Sequence, residues 1–345
     1  MTTELDHPVD AARRFWDAGS RLNRDTYRAD VRSAPFILAG RSELSLAEAV
    51  ELAEARGRSL RVGPFVAANA VANTLRSHGS EQQKERWLAP LLAGEIVPTL
   101  VLETQGTTGM VPTVRKDGRA LVLEGSAELV QYALDADLLL VSALHDGRRE
   151  LVLVESSRSG IELAAVDALD GTRGLGRVTF TGVSIAASDL VSGDTPAVEL
   201  LDLVALLSLG ETIGAMDELF DSALAYSKSR FAFGRPIGSF QVIKHSLVDA
   251  SLALESSKAL RDALLDALVE HRDTASEIAS MAKSFVAGAG IDLSHIAWQT
   301  YGGIAYTWAN DFHLYMRRIT SDAALFGDAS WHNRRIIALH EGASA

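Results

Sequence analysis

The residues best equipped for chemistry cluster in one stretch, AYSKSRFAFGRPIGSFQVIKHSLVDA, running from Ala225 to Ala250. It gathers a guanidinium (Arg230), two aromatic faces (Phe233 and Phe240) and an amide (Gln241) about a turn carrying Gly234, Pro236 and Gly238. A guanidinium pairs in bidentate fashion with phosphate oxygens and an aromatic face stacks on a planar ring, so the stretch suits a pyrophosphate joined to a planar base. The same residues also read as a plain helix-turn-helix whose Arg230 is only solvated.

Other chemistries lack their motifs. There is no P-loop, no GxSxG elbow, no HExxH and no GxGxxG opening a helix after a strand. The nearest glycine cluster, GTRGLG from Gly171 to Gly176, precedes a strand and reads as a loop. The nine histidines are scattered, so no metal is expected. With no cysteine, disulfides, thiolate metal sites and thiol nucleophiles are excluded.

Three kinds of segment must position these residues. From Val9 to about Ile96 apolar residues recur at three- and four-residue spacing, as in SLAEAVELAEARGRSL, which predicts three to five short helices. Between Pro98 and about Gly193 short runs rich in Val, Leu and Thr are separated by DG, EG and SG turns, which predicts an antiparallel β domain. After SGDTPA long helices are expected at about 195–229, 240–271, 274–301 and 309–342, a four-helix bundle. The fold class is α+β, mainly α, with domains at 1–97, 98–194 and 195–345.

The 345 residues are 47% hydrophobic, enough for a sizeable core. Acidic residues outnumber basic ones 45 to 33, and the net charge of -12 disfavours nucleic acid. The opening MTTELDHPVD does not read as a signal peptide. The longest apolar run, Leu200 to Met216, is broken by Asp202, Ser208 and Glu211, so no membrane span and a cytoplasmic location are expected.

The Ala225–Ala250 stretch resembles the signature of acyl-CoA dehydrogenases: Tyr226, Arg230, Phe233, Gly234, Pro236, Ile237, Phe240, Gln241, Lys244, Leu247 and Asp249 match the family pattern. A second block, QTYGGIAYTWANDFHLYMRR, resembles the family's carboxy-terminal glycine motif through Gln299, Gly302, Gly303, Tyr306, Thr307, Tyr315 and Arg317. LVLEGSAELVQYALDADLLLVSA resembles a third family segment, a strand following Ala136 and Asp137. The resemblance implies an amino-terminal helical domain, a middle β domain and a carboxy-terminal bundle. It further implies FAD, an acyl-CoA thioester and oxidation of the Cα–Cβ bond. The amino-terminal domain is abbreviated, with APFILAGRSELS where relatives carry a glycine segment that shapes the acyl pocket.

Removing the weakly acidic α proton of a thioester calls for a desolvated carboxylate. The family keeps its glutamate at one of two places, which fall here at Phe326, in LFGDAS, and at Val204. Neither is acidic, and the catalytic residue is left unassigned. Asp328 reads first as a helix cap and second as a substitute base. Glu211 lies two turns from Val204, roughly 10 Å along the helix, and Asp202 points about 200° away. Where relatives hold the flavin ring with a Trp-Ile-Thr strand and a Thr-Glu-Pro-Gly-Ala-Gly-Ser loop, this chain has Leu129, Val130 and Gln131 and the run Leu102 to Thr108, keeping Glu103 and Thr108.

In contrast, the residues that relatives extend to the adenosine and pyrophosphate of a neighbouring subunit's FAD are kept: Arg230, Phe233, Phe240, Gln241, Gln299, Gly302 and Gly303. The two glycines let backbone N–H groups approach phosphate without a Cβ in the way. The pattern resembles the non-catalytic subunit of the α2β2 acyl-CoA dehydrogenases of actinobacterial steroid side-chain degradation. It implies a catalytic partner subunit and a bulky CoA ester. A self-sufficient homo-oligomer with an unusual base and a flavin-free structural or regulatory subunit stand as alternatives.

Overall fold

The run LLLVSAL has no alternation of polar and apolar residues, as a strand covered on both faces requires. In the computed structural model, which describes residues 45–102, 111–117, 120–191, 196–307 and 311–342, every residue from Leu138 to Ala143 is buried at the centre of a sheet. Its strands are β1 (Pro98–Val101), β2 (Thr113–Asp117), β3 (Ala120–Gln131), β4 (Leu138–His145), β5 (Arg148–Glu155), β6 (Ile161–Ala165), β7 (Leu175–Ile185) and β8 (Leu190–Val191). The order is β6-β7-β3-β2-β4-β5-β8, with β1 also paired to β4.

Most neighbours are antiparallel, as expected, but β1 and β2 both run parallel to β4. They occupy successive lengths of one β4 edge, Pro98 facing Leu138 and Thr113 facing Leu144. Asp137 sets this register: its carboxylate accepts from the Val97 N–H at 2.9 Å and its own N–H donates to the Val97 carbonyl at 2.7 Å. The DG turn between β4 and β5 is a two-residue hairpin, Asp146 and Gly147 both at positive φ (48° and 80°), closing His145 opposite Arg148. Val141, Val152, Val154, Val178 and Phe180 form the centre of the β core.

The helices are α1 (Leu46–Arg58), α2 (Phe65–His78), α3 (the consecutive pieces Glu81–Gln83, Lys84–Leu88 and Ala89–Leu92), α4 (Pro196–Ser229), α5 (Gln241–Val269), α6 (Ala275–Tyr301), α7 (Phe312–Asp322) and α8 (Ala329–His340). Ser80 starts α3 with a capping box, its hydroxyl accepting from Gln83 N–H while the Gln83 amide oxygen accepts from Ser80 N–H. The single helix expected at 309–342 is in fact two. Phe326 and Gly327, at φ 59° and 102°, leave the right-handed region and break it between α7 and α8.

By density of contacts the described chain divides into two units, one of Leu46–Arg61 with Ala205 onward and one of Val62–Val204. In the first, α1 lies against α4 through glycines. A Cβ on Gly57 would overlap the carbonyl oxygen of Glu211, and one on Gly214 the carbonyl oxygen of Glu54. One on Gly210 would sit 2.8 Å from Ala53 Cβ. The apolar faces of α4, α5 and α6 close the core with Leu209, Ile213, Leu254, Leu264, Val286 and Leu293. Among the described residues no helix is long and apolar enough to cross a membrane.

Candidate functional site

The chain leaves α4 at Ser229 and enters a minimal hairpin in which Phe231 faces Pro236 and Ala232 faces Arg235. A two-residue turn of this kind needs positive φ at both central residues. They are Phe233, at 52°, and Gly234, at 79°. Glycine takes that conformation freely, whereas a phenylalanine there is strained by about 1–3 kcal/mol. The same ring is 93% exposed. Strain together with an exposed aromatic ring is what a binding role explains and a packing role does not.

The hairpin is anchored at its base. Ile237 N–H donates to the Arg230 carbonyl at 2.8 Å, and Arg230 N–H to the Tyr226 carbonyl at 2.9 Å. Gly238 sits so near the last turn of α4 that a Cβ would be 2.9 Å from the Ser227 hydroxyl. Phe240 meets Phe233 edge to face at 6.2 Å, and the Arg235 guanidinium lies over the Phe240 ring at 4.1 Å. Arg230 and Gln241 are exposed.

At its carboxy end α6 delivers the second block. Gly302 adopts φ 64° and ψ -143°, a conformation essentially confined to glycine. Tyr301 stacks on Tyr226 at 4.2 Å, packs against Phe312 at 3.6 Å and donates its hydroxyl to the Ser222 carbonyl at 3.0 Å. Burial pushes its phenol up to about 12, so it stays a donor. Since Tyr226 precedes the hairpin and Tyr301 precedes Gly302, this stack brings the hairpin and the glycine turn to one end of the helical unit. Gln299 and Gly303 are exposed there, and a Cβ built on Gly302 or Gly303 meets nothing within 4 Å. The end therefore offers a guanidinium, an open ring, two amides and, at Gly303, backbone with no side chain over it, while the Gly302 N–H donates to the Trp298 carbonyl. That set suits an anion and a planar base; it holds no carboxylate to move a proton.

The two expected base positions lie in the interior. Val204 is 0% exposed within α4 and Phe326 is 7% exposed. The Phe326 carbonyl accepts from His332 Nε2 at 3.1 Å, and Lys283 Nζ donates to the carbonyls of Asp322 and Leu325 at 3.2 and 3.0 Å. Burial, and after it the Lys283 charge, pull the His332 imidazole down to about 3, so it remains neutral. Asp328 accepts from Trp331 N–H at 2.7 Å as the cap of α8. Glu211 is buried and ion-paired with Arg56 at 3.1 Å, a partner that the sequence did not disclose. Asp202 is buried as well.

On the sheet, Leu129 has φ 57° at an irregularity between Ala127 and Val130, after which Val130 and Gln131 rejoin β7 opposite Gly176 and Leu175. Both are buried, and the Gln131 carbonyl accepts from the Thr99 hydroxyl at 2.5 Å. Tyr132 is fully buried, its hydroxyl donating to the Thr172 carbonyl and accepting from Gly63 N–H. Residues 129–131 thus provide no aromatic face and no hydroxyl for a flavin ring. Glu103 and Thr108 fall outside the described residues. Of FAD, the adenosine and pyrophosphate suit the residues at the bundle end, and the ring does not suit this strand. Among the described residues no group of histidine, cysteine, aspartate and glutamate side chains could hold a metal ion.

Comparison with known proteins agrees with the two motif blocks. The model of the acyl-CoA dehydrogenase carboxy-terminal domain matches residues 193–340 and that of the amino-terminal domain residues 39–95. Acyl-CoA dehydrogenase IpdE2 of Mycobacterium tuberculosis is 30% identical over 270 residues, 75% of this chain and 78% of that protein. Acyl-CoA dehydrogenase IpdE2 of Mycolicibacterium smegmatis is 38% identical over 139 residues, 40% of this chain and less than half (43%) of that protein. Among solved structures, the ChsE4-ChsE5 complex from Mycobacterium tuberculosis superposes with TM-score 0.83 at 24% identity, over 98% of this chain and 95% of that one. The Tcur3481-Tcur3483 steroid ACAD G363A variant gives 0.84 at 22% identity, over 97% of each chain. At these identities the two structures show a shared fold.

Proposed function

The chain belongs to the acyl-CoA dehydrogenase family, and from that premise we propose that it is the non-catalytic subunit of a heteromeric, FAD-dependent acyl-CoA dehydrogenase. In this reading it extends Arg230, Phe233, Phe240, Gln241, Gln299, Gly302 and Gly303 to the adenosine and pyrophosphate of FAD held by a catalytic partner subunit. The observation that carries it is a contrast in exposure. Phe233, strained and 93% exposed, stands in solvent, whereas the two places for a base hold apolar side chains at 0% and 7% exposure.

When bound, FAD supplies the hydride acceptor for α,β-desaturation of an acyl-CoA thioester. This chain's residues bind and orient. Arg230, exposed and without an ion pair to any described residue, is free to neutralise phosphate charge. Phe233 offers a stacking face, Gln241 and Gln299 offer amides, and Gly303 offers an N–H with no side chain over it. The carboxylate that takes the α proton belongs to the partner. A steroid ester is supported by the Tcur3481-Tcur3483 steroid ACAD among the structural neighbours, and an unlike partner subunit by the ChsE4-ChsE5 complex; the side-chain CoA ester and the α2β2 stoichiometry are part of this proposal. We keep the three-domain reading, 1–97, 98–194 and 195–345, as part of this proposal.

Co-expression with an adjacent acyl-CoA dehydrogenase gene tests it. The expected product is a yellow complex with one FAD per pair of unlike chains, while this chain alone is colourless. A yellow, active homo-oligomer from this chain alone overturns the reading in favour of a self-sufficient enzyme. A complex that stays flavin-free overturns it in favour of a structural subunit.

A further inference from the structure

Two aromatic rings occupy the hairpin, and they are not equivalent. Phe233 is 93% exposed on its turn, whereas Phe240 is only partly exposed. One face of Phe240 is covered by the Arg235 guanidinium at 4.1 Å, and Phe233 meets it edge to face. Arg235 is itself exposed and forms no ion pair with any described carboxylate, so the ring is its principal contact. A planar guanidinium over a ring restrains both partners, and an edge-on aromatic neighbour restrains the third. Phe240 also occupies the cap position of α5, so its ring stands at the start of the helix, between Arg235 and Phe233.

Resting on the subunit reading above, we propose that Arg235 is a positioning residue: it clamps Phe240 as a pedestal, which fixes Phe233 as the ring left open for the planar base. Arg230 then stands as the guanidinium available to phosphate. The two arginines, five residues apart in sequence, have separate tasks.

The test uses the co-expressed complex and the rate at which it releases FAD, followed by flavin fluorescence. Arg235→Gln is expected to speed release roughly two- to fivefold, the scale of an exposed cation–π contact. Arg235→Lys, which keeps the charge but not the planar stack, is expected to fall between that variant and the parent. Thermal midpoints should stay unchanged, since Arg235 lies on the surface. The decisive variant is the double one. If Arg235 acts through Phe240, then Arg235→Gln with Phe240→Leu releases FAD no faster than Phe240→Leu alone. Effects that multiply show Arg235 touching the cofactor directly and overturn the proposal.

Arg230→Ala separates the two levels of the argument. If it strips the flavin while Arg235→Gln does nothing, only the pedestal fails. If it leaves the flavin in place, the subunit reading fails. In that case the full chain alone still decides the pedestal by NMR with 13C-labelled arginine. The Arg235 δ-methylene resonance is expected upfield, shifted by the Phe240 ring, and restored to its ordinary position in Phe240→Leu. An unshifted resonance in the parent overturns the pedestal by itself.

Discussion

Glycines sit in two regions of the helical unit, and they do opposite things. At the α1–α4 contact, Gly57, Gly210 and Gly214 are enforced from within, because a Cβ on any of them strikes the opposing helix. At the end of α6, Gly303 has open space around it, so nothing in the chain demands a glycine there. The contact between helices is complete in itself, down to the Arg56–Glu211 ion pair that neutralises a buried carboxylate. The end is open: a guanidinium with no ion pair to any described residue, a strained ring in water and a glycine with nothing over it. A glycine that internal packing explains belongs to stability, and one that it leaves unexplained points outward to something the chain binds.

The largest effects should come from crossing the two regions. Placing a glutamate at Val204, Val204→Glu, buries a carboxyl at a position with 0% exposure. Without a partner there it is expected to cost several kcal/mol and to lower the denaturation midpoint without creating activity. Arg230→Ala should do the reverse, leaving the midpoint within about 0.5 kcal/mol while the co-expressed complex loses FAD affinity. Loss of charge-assisted hydrogen bonds worth about 1.5–3 kcal/mol corresponds to roughly 10- to 160-fold weaker retention. A Val204→Glu chain that is stable and active alone would erase the distinction between interior and edge.

The glycines themselves give the next scale. Gly214→Ala forces α1 and α4 apart and should destabilise by about 1–3 kcal/mol in urea unfolding. Gly303→Ala should leave the unfolding curve in place and weaken FAD retention in the complex. Equal destabilisation by the two would mean that the end is packed like the core.

Much of this was legible in the sequence, and the losses have identifiable causes. Helices α4, α5 and α6 follow the expected spans closely, because long apolar periods with few competing signals leave little choice. The DG turn behaved as its residue types dictate. The parallel pairing of β1 and β2 on β4 was not readable, since the same apolar runs serve either direction and the register depends on Asp137 meeting Val97. The Asp328 cap marks a helix start in the sequence, but phenylalanine is a poor indicator of positive φ, so the break at Phe326 and Gly327 is not evident from residue type. For the hairpin the residue types were evident and the geometry was not. Phe233 at φ 52° and Arg235 lying on Phe240 are outcomes of a turn type that the sequence does not announce. The partner of Glu211, Arg56, lies 155 residues away, a separation at which spacing carries no signal.

A smaller effect concerns the turn between α7 and α8. His332 is held neutral when folded, with its imidazole lowered to about 3, while the unfolded chain protonates near 6.5. Below pH 6.5 the unfolded state therefore gains a proton that the folded state refuses. The stability His332 contributes is complete above that pH and is lost as pH falls toward 3, with a limiting slope of about 1.4 kcal/mol per pH unit. Between pH 6.5 and 5.5 the loss should be about 1 kcal/mol. His332→Gln, which keeps a donor for the Phe326 carbonyl, should flatten this part of the pH–stability curve. An unaltered slope would show that the imidazole does not control the turn.

The smallest effect is the one that separates edge chemistry from interior architecture at a single residue. Asp328 lies one position beyond the glycine of the expected base segment, and its carboxylate accepts from Trp331 N–H at 2.7 Å. A cap needs an acceptor oxygen and no charge, whereas a base needs the ionised carboxylate. Asp328→Ala should therefore cost about 1 kcal/mol of stability, and Asp328→Asn should recover most of it, because the amide oxygen still receives the helix N–H. Activity of the co-expressed complex should be the same in both variants as in the parent. If Asp328→Asn is stable yet inactive, the carboxylate is a base after all, the interior is not merely architectural, and the contrast between a complete interior and an open edge fails at the position closest to the chemistry.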